Sequence, residues 1–99
     1  MVKRFMVYEM EDAGVQKPCV VVSPNELNAV LPYVMVAPIT GRVRALPYRV
    51  MIEMKGRDGQ IALEKLRTVS KTALVRKIGV LPETSHQEIS HILSQMFAL

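Results

Sequence analysis

Two apolar runs, Cys19–Val22 and Val34–Ile39, dominate the pattern of the chain, and neither contains a polar side chain. Both are rich in β-branched residues. A continuous run of this kind reads as a strand buried on both sides rather than one with a wet face. Between them, Leu27, Val30 and Leu31 recur at helical spacing. Ser23 offers a hydroxyl cap for that helix, Pro24 suits its first position, and Glu26 stands at the capping-box spacing from Ser23. The predicted unit is strand, short helix, strand. Lys17 comes just before its first strand, and Thr40 closes its second after Pro38.

The rest of the chain supplies shorter elements. Arg4–Met10 reads as a first strand with Phe5, Val7 and Glu9 on one face and Met6, Tyr8 and Met10 on the other. Neither face is clearly polar, which suits a central or interface strand. Glu11-Asp12-Ala13-Gly14 follows as a turn. Gly41–Pro47 is a basic loop. Tyr48–Met54 alternates most cleanly, with Tyr48, Val50, Ile52 and Met54 on one side and Arg49, Met51 and Glu53 on the other. Lys55–Gly59 carries a hairpin signal, Gln60–Leu63 a short strand, Ser70–Thr72 a turn or helical segment, and Leu74–Val80 the last strand. Ile89, Ile92, Leu93, Met96 and Phe97 form the apolar stripe of a C-terminal helix. Thr84 with Gln87, or Ser85 with Glu88, would cap it. Strands this short favour a small, strongly bent sheet or open barrel.

Composition narrows the class. The 99 residues suffice for one domain with a modest core. Nearly half are hydrophobic, which suggests that a second copy or another partner covers some apolar surface. No run is long enough to span a bilayer. Lys3 and Arg4 are not followed by the apolar core of a signal peptide. Cys19 is the only cysteine, has no internal disulfide partner and reads as a small buried hydrophobe. Together these features predict a cytoplasmic protein. The net charge of +4 permits a polyanionic partner without requiring one.

Candidate chemistry is cationic. His86 and His91 are the only histidines, and their five-residue spacing on a helix keeps them from sharing an ion. No cysteine or carboxylate cluster has metal-ligand spacing, and no glycine-rich phosphate loop or nucleophile elbow is present. No metal or cofactor is expected. Lys17, Arg42, Arg44, Arg49, Lys65 and Arg67 instead gather around the ends of the central strands, with Thr40 and Glu64 among them. Such a surface can hold a phosphodiester backbone. The same cations read equally well as a solvated face, and Glu64 with Arg67 as a structural ion pair.

The motifs Lys17-Pro18-Cys19-Val20-Val21-Val22-Ser23, Val36-Ala37-Pro38-Ile39-Thr40 and Glu64-Lys65-Leu66-Arg67-Thr68-Val69 resemble the MazF/PemK family of toxin endoribonucleases. The family patterns are T-R-P-x-V-V-V-S, V-A-P-I/M-T and D-Q-x-R-T-V. The resemblance covers most of the chain and implies one toxin domain over residues 1–99, with the SH3-like barrel shared by MazF- and CcdB-type toxins. It implies metal-independent cleavage of single-stranded RNA, with the 2′-hydroxyl attacking the scissile phosphate, as well as a homodimer and an acidic cognate antitoxin. It assigns catalytic roles to Lys17, Thr40 and Glu64, and it places Arg42, Arg44, Arg49, Lys65 and Arg67 on the RNA. Among the chain's departures from the pattern, Lys17 replaces the family arginine, Phe5-Met6 replaces Gly-Asp or Gly-Glu, and the first loop is shortened. A toxin-fold paralogue that acts by protein binding is the alternative. A gyrase-binding toxin of the CcdB type is a weaker one, because the chain shares Met96-Phe97 with that type but has no tryptophan.

Overall fold

The computed structural model describes residues 1–98. Its strands are β1 (Met6–Asp12), β2 (Val15–Val21), β3 (Tyr33–Thr40), β4 (Arg49–Met54), β5 (Arg57–Ala62), β6 (Arg67–Ser70) and β7 (Leu74–Val80). Helix α1 (Asn25–Asn28) separates β2 from β3, and α2 (Glu83–Met96) follows β7. The sheet runs β4-β5-β3-β2-β1-β7, with β6 also paired to β3. Every pairing is antiparallel. The mainly β architecture with a C-terminal helix agrees with the sequence, and the small barrel takes the form of a curled half-barrel.

The two apolar runs behave as their pattern predicts. Val20, Val22 and Ala37 join a core cluster with Val7, Val50, Ile61, Leu63 and Ile89, while Cys19, Val21, Val34 and Val36 join a second cluster with Met10. Alternate residues of one strand therefore enter different clusters. Strand β1 lies between β2 and β7 and contributes to both, so its two apolar faces are covered within the chain. Ile92, Leu93 and Met96 of α2 pack on the first cluster.

Both edges of β3 are used. One edge pairs with β2; the other pairs with β6 at Tyr33–Val36 and with β5 at Ile39 and Thr40. Between β5 and β6 the register on β3 slips by the three residues of a 3-10 turn, Leu63–Lys65. Leu63 is fully buried and anchors that turn, while Glu64 and Lys65 project from it. Pro38 falls in the gap between the two ladders, where a missing N–H breaks no pairing with β5 or β6.

Several local expectations are corrected. Phe5 has φ +71°, so β1 begins at Met6 rather than Arg4. The first turn shrinks to Ala13-Gly14, both with positive φ, and Asp12 belongs to the strand. Strand β2 starts at Val15, so Lys17 lies inside it rather than before it. Ser23 does not cap α1. Its Oγ donates to Asn28 Oδ1 at 2.5 Å and accepts the Met35 N–H at 3.1 Å, tying the helix to β3, and Pro24 occupies the cap position. Neither predicted capping box forms at α2, whose cap position is Pro82. Phe97 leaves the apolar stripe and is exposed at the helix end. His86 stacks on Phe5 with ring centroids 4.1 Å apart. Strand β6 has no counterpart in the hydrophobic pattern.

Candidate nucleic-acid interface

The site grows from the alternation of the central strands. Met10 and Asp12 are two apart on β1, and Met10 pairs with Lys17 on β2. Val36 and Pro38 are two apart on β3, and Val36 pairs with Arg67 on β6. Paired residues share a face, and so do residues two apart along a strand. The pattern therefore carries Met10, Asp12, Lys17, Val36, Pro38 and Arg67 to one side of the sheet, above the second core cluster. These residues, with Pro18 and Lys65, line a cleft of about 290 Å³.

A second cleft, of about 340 Å³, is lined by Thr40, Arg42, Arg44, Leu46, Arg49, Glu64 and Lys65. Lys65 belongs to both. Lys65 stands on the 3-10 turn, so the three-residue insertion between β5 and β6 joins the clefts. All eight residues singled out from the sequence line one cleft or the other: Lys17, Lys65 and Arg67 the first, and Thr40, Arg42, Arg44, Arg49, Glu64 and Lys65 the second.

The charges are not all free. Arg49 Nε donates to Glu64 Oε1 at 2.9 Å and to Oε2 at 2.8 Å, and its Nη2 donates to Oε2 at 2.6 Å. The Arg49 side chain is only 5% exposed, so the arginine predicted on a polar face is instead committed to a carboxylate. The bond from Arg49 holds the Glu64 carboxyl below the usual glutamate range, and the same bond raises Arg49 further above neutrality. The expected Glu64–Arg67 pair is absent. Arg67 Nη2 lies 3.2 Å from Asp12 Oδ1, and Lys17 Nζ lies 3.5 Å from Asp12 Oδ2. Hydrogen bonding and charge from Arg67, helped by Lys17, hold the Asp12 carboxyl below the usual aspartate range. Lys17 and Arg67 nevertheless keep about half of their side-chain surface in solvent, at 55% and 49%.

Two contributors were missed in the sequence. Asp12 is diagonal to Lys17 across the hairpin, a relation that follows once the turn is reduced to Ala13-Gly14. Gln60, 4% exposed, clamps the basic loop. Its Oε1 accepts the Arg44 N–H at 2.9 Å and Arg49 Nη1 at 3.1 Å, while its Nε2 donates to the Arg44 carbonyl at 2.9 Å. A buried amide in the middle of a strand was the available signal. Thr40 holds the start of the same loop, since its Oγ1 accepts the Arg42 N–H at 3.1 Å. Cys19 lies beneath this surface with its thiol pushed up to about 11 by burial, which leaves it a packing residue rather than a nucleophile.

The arrangement can neutralise an anion at Lys17, Arg67 and Lys65 and offer a hydroxyl from Thr40, beside a loop carrying Arg42 and Arg44. Such a cationic face above a curled half-barrel has the charge to take a polyanion, whether a nucleic acid or an acidic peptide. Residues 5–97 match the PemK-like, MazF-like toxins of type II toxin–antitoxin systems, and the chain belongs to that family.

Solved structures share the fold. An endoribonuclease in complex with its cognate antitoxin from a mycobacterial species superposes with a TM-score of 0.90 at 22% identity, covering 100% of this chain and 97% of that one. The Mycobacterium tuberculosis toxin MazF-mt6 gives 0.83 at 21% identity, covering 95% and 97%. The MazE–MazF complex of Deinococcus radiodurans gives 0.85 at 18% identity, covering 99% and 96%.

Proposed function

We propose that this toxin is a metal-independent endoribonuclease that cuts single-stranded RNA and is held inactive by an acidic antitoxin. The observation that carries the reading is the pair of adjoining clefts, joined at Lys65, where Lys17, Arg67 and Thr40 meet the basic loop. Cleavage needs the 2′-hydroxyl deprotonated, the charge growing on the phosphorane oxygens stabilised and the leaving 5′-oxygen protonated. Lys17 stands at the scissile phosphate, where its ammonium can stabilise the phosphorane charge and give a proton to the leaving 5′-oxygen, while water takes the proton of the 2′-hydroxyl. The Thr40 hydroxyl accepts from Arg42 and keeps its own proton to donate to a phosphate oxygen. Glu64 serves through Arg49, because both its oxygens are engaged there and its depressed pKa makes it a poor base. Arg67 shares the phosphate held by Lys17, and Arg42, Arg44 and Lys65 bind flanking phosphates.

The antitoxin follows from the kinship with toxins solved beside theirs. A homodimer suits the exposed Val75 and Val80 on β7 and the exposed Phe97 after α2. Action in the cytoplasm suits an RNA target and the unpaired Cys19.

Incubating the purified protein with mixed-sequence RNA in the presence of EDTA tests the reading. Cleavage into discrete products is expected. An intact substrate at stoichiometric enzyme would overturn it. The alternative, a toxin-fold protein that acts only by binding, is favoured by the Ala13-Gly14 turn, which leaves no loop to cover bound RNA. Capture of an acidic antitoxin by an RNase-negative protein would select it.

A further inference from the structure

The Asp12 carboxylate lies between two cations that the proposed function gives to RNA. Its Oδ1 faces Arg67 Nη2 at 3.2 Å and its Oδ2 faces Lys17 Nζ at 3.5 Å. Two anionic oxygens on one centre, each held by a different cation, reproduce the way a phosphodiester presents its two non-bridging oxygens. The cleft around the carboxylate is floored by Met10, Pro18, Val36 and Pro38, and it also receives Lys65. The ion pairs are solvent-exposed, so each holds weakly and can be exchanged.

We infer that Asp12 is an internal stand-in for the substrate phosphate: in the free toxin it bridges Lys17 and Arg67, and an incoming nucleic-acid phosphate binds them by displacing it. The inference rests on the reading of Lys17 as a phosphate contact. Asp12 is paired through its backbone to Val15 next to the Ala13-Gly14 turn, so displacement requires only a side-chain rotation and no opening of the hairpin. Because Arg67 and Lys17 keep the carboxyl ionised well below neutral pH, the exchange is one anion for another and not a protonation event. Asp12 is a positioning residue. It keeps the two cations gathered in the absence of RNA and lowers the affinity of the cleft for any single phosphate.

An all-2′-deoxy oligonucleotide tests this, since it keeps the phosphates but lacks the attacking hydroxyl. Its affinity is measured by fluorescence anisotropy across a salt series for wild type, Asp12→Asn, Glu11→Gln and Lys17→Ala. Asp12→Asn is expected to tighten binding about five- to tenfold at low salt, because two exposed ion pairs no longer have to be exchanged. Its salt dependence should steepen by about one in log–log slope, since displaced Asp12 recaptures a cation in wild type. Glu11→Gln removes the same charge next door and should change affinity by less than about twofold. Lys17→Ala should weaken binding.

If Asp12→Asn weakens binding or only matches Glu11→Gln while Lys17→Ala still weakens it, the stand-in is wrong and the phosphate reading survives. If Lys17→Ala leaves affinity unchanged, the phosphate reading fails and takes the inference with it.

Discussion

On the proposed function, Lys17 is the residue on which the chemistry turns. The motif resemblance implies that it stands where the family has arginine, and lysine differs in kind: a compact charge with rotatable donors against a planar fork. Lys17→Ala should abolish nearly all RNA cleavage while leaving the melting temperature close to wild type, because its only ion pair among the described residues is an exposed one to Asp12. Lys17→Arg separates two mechanisms. If lysine acts as a charge, arginine should equal or exceed its rate; if it moves a proton, arginine should slow the reaction and flatten the pH–rate profile near neutrality. Thr40→Ala should lower the rate by about 10²-fold, the size expected for one lost transition-state donor, and Thr40→Ser should restore most of it. Lys17 and Thr40 were legible in the sequence because each belongs to a motif with fixed neighbours. Asp12 and Gln60 were not, because each matters through a partner on another strand. Asp12 needed the hairpin register and Gln60 the loop that returns to it.

At the scale of elements, the site depends on how β5 gives way to β6. The inserted turn exposes Glu64 and Lys65, while Gln60, just before it, fixes Arg44. Gln60→Leu keeps similar bulk but loses the bonds to Arg44 and Arg49. It should cost about 1–2 kcal/mol of stability and speed amide exchange at Arg44, which NMR would follow.

The Glu64–Arg49 clamp predicts a pH effect of definite sign. The folded-state pKa of Glu64 is depressed, so its contribution is present above the ordinary glutamate range and lost as pH falls through the folded value. Glu64→Gln should therefore be about 1 kcal/mol less stable than wild type at neutral pH, with the difference closing in acid, as measured by denaturant melts across pH.

Elements with strong periodicity, β4, β7 and α2, were readable to within a residue or two. Strand β6 was not, because its four residues include a charge and two hydroxyls and are held by pairing to β3. The first half of β2 was hidden by Gln16, Lys17 and Pro18, which interrupt the apolar run although their backbone still pairs with β1. Capping patterns misled at both helices because prolines took the cap positions and Ser23 was recruited by Asn28 and Met35.

In the whole molecule, two apolar clusters fill the interior, and Lys17, Arg42, Arg44, Lys65 and Arg67 line adjoining clefts on one surface. An acidic, extended antitoxin segment lying across that surface should bind less tightly as salt rises, because exposed ion pairs are screened. Salt-independent binding would point to an apolar interface elsewhere. On the proposed function, this surface brings a phosphodiester to Lys17 and Thr40 for attack by its own 2′-hydroxyl. The most direct measurement is end-group analysis of RNA products made by the wild-type protein in EDTA, with Lys17→Ala run in parallel. Wild type should give 2′,3′-cyclic phosphate and 5′-hydroxyl ends, and the variant almost no product. Ends bearing a 3′-hydroxyl and 5′-phosphate, or equal activity from Lys17→Ala, would contradict that function.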